Sequence, residues 1–144
     1  MLPEEVGGLN QIRHLSIQNN EADSGKLTGT LPSFSGLGNI RDFYLNGNIL
    51  TGPIPDNFLE NATTTEKLAT VVLKNNNIIG EFPADLSRFK KLHIDVQGNK
   101  LSNLVEDMCN MKKWNGVMVV TFGYYAILCP KNTFPVEGIR NNVN

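Results

Sequence analysis

Histidine and cysteine are scarce in this chain of 144 residues, with two of each, and tryptophan occurs once. Such a thin supply of ligand-type side chains excludes a clustered Cys/His metal site. Cys109 and Cys129 are too few for a disulfide framework, although one bridge between them stays open. Charge of one sign is missing as well: 13 Lys and Arg stand against 14 Asp and Glu, for a net charge of −1. A balance this neutral removes the electrostatic reason to expect DNA, RNA or an anionic membrane as partner. Long apolar runs are absent too. The longest strongly apolar stretch, Val117 to Val120, is far short of a membrane span. The opening Met1-Leu2-Pro3-Glu4-Glu5 lacks the pattern of a secretory leader. Finally, there is no Gly-rich phosphate loop, no kinase signature and no nucleophile placed beside a base. The chain is therefore expected to be neither an enzyme nor the holder of a cofactor.

What is present is periodic. Ile12-x-x-Leu15-x-Ile17-x-x-Asn20 recurs as Ile40-x-x-Phe43-x-Leu45-x-x-Asn48 and as Leu68-x-x-Val71-x-Leu73-x-x-Asn76. A fourth copy, Ile94-x-Val96-x-x-Asn99, has its leading Leu92 one place late. Apolar residues at alternate positions predict short strands with one buried face. Strands so short are not stable alone, so each needs a neighbour on both sides. Asn20, Asn48, Asn76 and Asn99 fall where the chain leaves each strand, where a side-chain amide can satisfy backbone groups buried inside a coil.

A second half follows each strand: Leu27-Thr-Gly-Thr-Leu-Pro32, Leu50-Thr-Gly-Pro-Ile-Pro55 and Ile78-Ile-Gly-Glu-Phe-Pro83. Together the two halves resemble the plant-type leucine-rich-repeat pattern, over roughly residues 2 to 109. The resemblance implies an α/β-type repeat solenoid: a right-handed coil with short parallel strands on the concave side, an irregular or 3-10 convex side and a C-terminal cap. It also implies an extracellular, receptor-like parent that binds a protein, peptide or glycan on the concave face. The asparagine spacings, 28, 28 and 23 residues, compare with about 20 to 29 for such repeats. Two insertions lengthen the wider intervals, Glu21 to Lys26 and Asn61 to Lys67, both expected as surface loops.

The ends differ from the middle. Leu2, Val6, Leu9 and Ile12 keep the offsets of the back half of a repeat, as in Phe82, Leu86 and Phe89, so the chain begins mid-coil without a polar cap. It is therefore expected to be a C-terminal fragment of a longer solenoid. Residues 1–103 are assigned to the repeats, 104–128 to the cap and 129–144 to the start of a truncated, Cys-containing tail. Cys109 stands at a leucine position and is read either as a buried thiol or as half of a cap disulfide with Cys129.

Between the apolar positions, three rows of side chains are expected on the concave face. The first is His14, Asp42, Thr70 and His93; the second Ser16, Tyr44, Val72 and Asp95; the third Gln18, Asn46, Lys74 and Gln97. At a strand spacing of about 4.8 Å, His14 can meet Asp42, and Lys74 can reach Asp95 diagonally. The two histidines, about 14 Å apart on that spacing, cannot share a metal. Tyr44 beside Val72, expected as an exposed aromatic next to an exposed aliphatic and ringed by polar residues, has the make-up of an interface anchor. Asn61-Ala62-Thr63 is the single Asn-x-Ser/Thr match and a candidate glycosylation site. These residues point to a recognition module with a protein, peptide or glycan ligand. The alternatives are a structural or adhesion solenoid and an intracellular scaffold.

Overall fold

A computed structural model of the protein describes residues 2–18, 25–63 and 69–102. Asn20, the inserted residues 21–24 and 64–67, the expected cap and tail, and Cys109 and Cys129 lie outside these residues. Among the described residues, eight short strands follow one another. They are β1 (His14–Ser16), β2 (Thr28–Thr30), β3 (Asp42–Tyr44), β4 (Ile49–Gly52), β5 (Ala69–Val72), β6 (Asn77–Glu81), β7 (Leu92–Asp95) and β8 (Lys100–Ser102). Odd-numbered strands form one parallel sheet in the order β1-β3-β5-β7, and even-numbered strands a second in the order β2-β4-β6-β8. Each turn of the coil thus adds one strand to each sheet. The fold is a leucine-rich-repeat solenoid.

The second sheet is an addition to the irregular path expected after each asparagine. Segments of three to five residues interrupted by Gly carry little strand propensity of their own. They become strands because stacking lays each beside its counterpart in the next coil: Thr30 pairs with Thr51, and Gly80 with Leu101. The convex return runs as irregular chain with 3-10 turns at Glu4–Gly8 and Ala84–Arg88. Arg88 ties that return together by donating to the Leu59 carbonyl of the preceding coil and to Asp85, with its guanidinium over the Phe89 ring.

The core runs down the axis. Phe43, Leu45, Leu50, Ile54 and Phe58 in one coil, and Val71, Leu73, Ile78, Phe82, Leu86 and Phe89 in the next, are each at most 2% exposed. Phe34, Phe43 and Phe58 meet edge to face with centroids 4.8, 6.0 and 5.5 Å apart. That arrangement sets positive ring edges on negative faces and adds about 0.5–1.5 kcal/mol per pair beyond burial. At the β1 end the packing thins. Leu2 is buried, but Val6 and Ile12 are only partly covered, and Leu9 is 49% exposed although its offset matches the fully buried Phe89. The cause is geometric: β1 is the edge strand, and among the described residues no coil packs on its outer side.

The asparagines hold neighbouring coils in register. Asn76 donates from Nδ2 to the carbonyls of Leu45 and Leu73 at 3.0 and 2.8 Å, and its Oδ1 accepts from the Leu50 N–H at 3.1 Å. Asn48 repeats this one coil earlier, with Ile17, Leu45 and Leu27 as partners. Asn99 repeats it one coil later with Leu73, Val96 and Ile78. The carbonyls of Leu45 and Leu73 each accept from two successive asparagines, so the bonds form an unbroken ladder. The residue before each rung is left-handed: Gly47, Asn75 and Gly98 have φ of 72, 55 and 70°. Only Gly, and next best Asn, takes that conformation cheaply.

Replacing Asn76 by Ala orphans the Leu50 N–H and removes one of the two bonds that each of the Leu45 and Leu73 carbonyls accepts, at a residue only 5% exposed. At about 1–3 kcal/mol for the orphaned amide and about 0.5–1.5 kcal/mol for each of the two lost bonds, the loss is expected to be roughly 2–6 kcal/mol. A fall in the urea midpoint reads it directly, and a change under about 0.5 kcal/mol refutes the ladder's role. Gly52 has φ of +73°, and an added Cβ would stand 2.8 Å from Thr30 Cγ2. Gly52→Ala is expected to cost on the order of 1–3 kcal/mol in the same measurement.

Candidate functional site

Strand alternation sends every second side chain of the β1-β3-β5-β7 sheet away from the core. Leu15, Phe43, Val71 and Ile94 turn inward, and their neighbours form the concave face. Register pairs His14 with Asp42, Asp42 with Thr70, and Thr70 with His93, which brings the first row together. It likewise aligns Ser16, Tyr44, Val72 and Asp95 as the second row. The third row lies just past the strands, where backbone bonds from Gly47 to Lys74 and from Asn75 to Gln97 continue the alignment. Gln18, at the edge of that row, is exposed.

Among the described residues, two contacts between a basic side chain and a carboxylate cross the face. His14 Nδ1 is 2.6 Å from Asp42 Oδ2, within the first row. Lys74 Nζ is 3.9 Å from Asp95 Oδ2, on the diagonal. Asp95 is further engaged, because its Oδ1 accepts from the Gln97 N–H at 3.0 Å. His14 is well exposed, with 70% of its side chain open, whereas the Asp42 side chain is 28% open. Exposure falls toward the middle of the sheet. His14 and Ser16 on the edge strand are exposed, and Tyr44 and Val72 in the central strands are half-buried rather than fully open. Flanking strands on both sides cover the shanks of the central side chains, which leaves an aromatic and an aliphatic surface at the floor of a polar-rimmed trough.

Neither histidine has a second ligand-type partner set. Among the described residues no three His, Cys, Asp or Glu side chains gather closely enough to hold a metal ion. His14 and His93 sit on the two outermost strands of the sheet. No helix among the described residues is long and apolar enough to cross a membrane. Elsewhere a shallow groove of about 490 Å³ runs between the convex return paths, lined by Glu4, Ser33, Ser35, Pro32 and glycine backbone. The flank sheet exposes Thr28, Thr30, Thr51 and Ile79, the last at 48%. Sequence reading assigned no face to these residues. The signal available was the Thr-Gly-Thr alternation between Leu27 and Leu31, hidden by the shortness of the segment.

No protein-family profile matches the chain. It is 31% identical over 105 residues to pollen receptor-like kinase 2 of Arabidopsis thaliana, covering 72% of this chain and 15% of that protein. Over 100 residues it is 30% identical to the receptor-like kinase TMK2 of the same plant, covering 69% of this chain and 11% of the relative. The chain thus spans well under a fifth of the length of these curated relatives. Among solved structures, a TDR receptor superposes with a TM-score of 0.64 at 29% identity, over 78% of this chain and 18% of that one. The plant peptide hormone receptor RGFR1, in complex with RGF2, superposes with a TM-score of 0.67 at 25% identity, over 78% and 17% of the two chains. A pollen receptor kinase 3 matches at 0.54 and 29%, over 68% and 44%.

The Lys74–Asp95 contact is long and solvent-facing, so it is expected to contribute little. A double-mutant cycle on Lys74→Met and Asp95→Asn should give a coupling below about 1 kcal/mol that fades in 1 M salt. A salt-insensitive coupling above about 2 kcal/mol would make the pair part of the scaffold instead of the open face.

Proposed function

The chain is a plant-type leucine-rich-repeat segment of the receptor-like kind, and on that premise we propose that its concave sheet is a peptide- or protein-recognition surface, presented outside the cell by the parent protein. The observation that carries this reading is the register that sets Tyr44 against Val72 at the centre of the sheet. Ser16 and Asp95 close the row at its ends, and Asp42 and Thr70 flank it. Both central side chains project from the sheet while Phe43 and Val71 fill the core, so the fold does not need them there. An aromatic floor inside a polar rim is the composition that concentrates binding energy at interfaces. Half-burial adds to it, because a side chain already held by its neighbours loses little rotamer freedom when a partner arrives.

The comparisons support a peptide as the partner class. The RGFR1 coils that this chain resembles belong to a peptide hormone receptor, seen with RGF2. The two central strands of the concave sheet are paired on both sides, so a ligand lying over Tyr44 and Val72 is read by side chains. The matched stretch is repeat and not kinase, and the catalytic name of the relatives does not transfer to it.

A displayed peptide library panned on the full chain tests the reading. Selected peptides are expected to bind Tyr44→Ala/Val72→Glu at least tenfold more weakly, a loss of about 1.4 kcal/mol or more. The melting midpoint of the double variant should stay within a few degrees of wild type, because neither side chain is in the core. Binding should survive Ile79→Ser on the flank sheet. Peptides that bind the double variant as well as wild type would favour a solenoid that spaces or links other modules.

A further inference from the structure

We propose that Asn61 is an N-glycan acceptor and that its glycan covers the convex return, leaving the concave sheet as the open face. The proposal rests on the export of the parent protein inferred above. Asn61-Ala62-Thr63 is the chain's one acceptor triplet, and the structure shows what its three residues do. Asn61 closes the turn through 56–61 on the return path from β4 to β5, and its side chain is exposed. Among the described residues its amide makes no hydrogen bond, in contrast to the amides of Asn48, Asn76 and Asn99, which are fully used by the ladder.

The backbone beneath Asn61 is pinned. Its N–H donates to Ser35 O at 3.2 Å, and the Ala62 N–H donates to Leu59 O at 2.9 Å with Ala62 only 5% exposed. Thr63 donates from both N–H and Oγ1 to Gly38 O, at 2.7 and 2.8 Å. Every one of these contacts is to convex return segments of the same or the preceding coil. A modification at Nδ2 therefore projects outward from a fixed platform and breaks none of them.

The chemistry is a transfer from a lipid-pyrophosphate-linked oligosaccharide. A bond forms between the Asn61 side-chain nitrogen and the anomeric carbon as the carbon–oxygen bond to pyrophosphate breaks. The lipid pyrophosphate leaves with the electron pair, and one amide proton is released to the transferase base without any redox change. A bulky hydrated glycan at this corner hinders approach to the convex groove beside Ser33 and Ser35 and directs partners to the opposite sheet.

The test is expression of the full chain behind a secretory leader in a eukaryotic host, read in both lysate and medium. One mobility step removed by peptide N-glycosidase is expected in wild type and in Thr63→Ser, and none in Asn61→Gln. Protease protection of the lysate fraction verifies entry into the lumen. Lumenal wild type without that step overturns the proposal, as does a step that persists in Asn61→Gln. Recognition is scored separately, since Asn61→Gln should capture the selected peptides at wild-type strength. Capture by Asn61→Gln but not by the glycosylated wild type would overturn the placement of the glycan on the convex side, because the glycan would then cover the concave face.

Discussion

A hydrogen-bond deficit governs this architecture. Wherever the chain leaves a concave strand, carbonyls such as Leu45 and Leu73 turn into the coil interior, out of reach of water and of the sheet ladder. One side chain with two donors and one acceptor, placed at that corner, settles the account for its own coil and for the one before it. Asparagine has the right reach, and Asn48, Asn76 and Asn99 supply it in succession. Because the rungs share carbonyls, the spacing between coils is set by bond length and not by hydrophobic packing alone. The apolar residues then fill a volume whose dimensions are already fixed.

That division of labour explains how the surface can vary without cost to the fold. Ladder and core occupy one side of every concave strand and the corner after it. The alternate positions are not called on to fill the core or complete the ladder, so they are free to differ from coil to coil, as His14, Tyr44 and Lys74 do. Parallel register converts a linear pattern into columns: residues 28 or 23 apart in the chain, such as Tyr44 with Val72 and Val72 with Asp95, become neighbours. The ion pairs that cross these columns are exposed and contribute modestly to stability. Their place is in shaping the charge of the trough.

Legibility in the sequence was uneven for physical reasons. The concave columns could be read because alternation and a repeated asparagine encode them twice over, and the two ion contacts follow from column and diagonal neighbours. Tyr44 and Val72 were expected to be more open than they are, since a linear pattern marks a face but not how far flanking strands cover it. The flank sheet escaped notice because Leu-Thr-Gly-Thr and Ile-Ile-Gly-Glu are poor strand formers in isolation. The anchoring of Arg88 on the Leu59 carbonyl, one coil away, has no local signature at all.

What the sequence determined by itself was the repeat: its period, its inward residues, its corner asparagines and, through Gly47, Asn75 and Gly98, the left-handed turn before each rung. Those are local demands of backbone conformation and hydrogen-bond satisfaction, and they are written residue by residue. What only the tertiary structure decided was everything that depends on one coil lying against another. The second sheet, the half-burial of Tyr44 and Val72 and the firm platform under Asn61 all arise from contacts between segments more than 20 residues apart, for which no single segment carries the instruction.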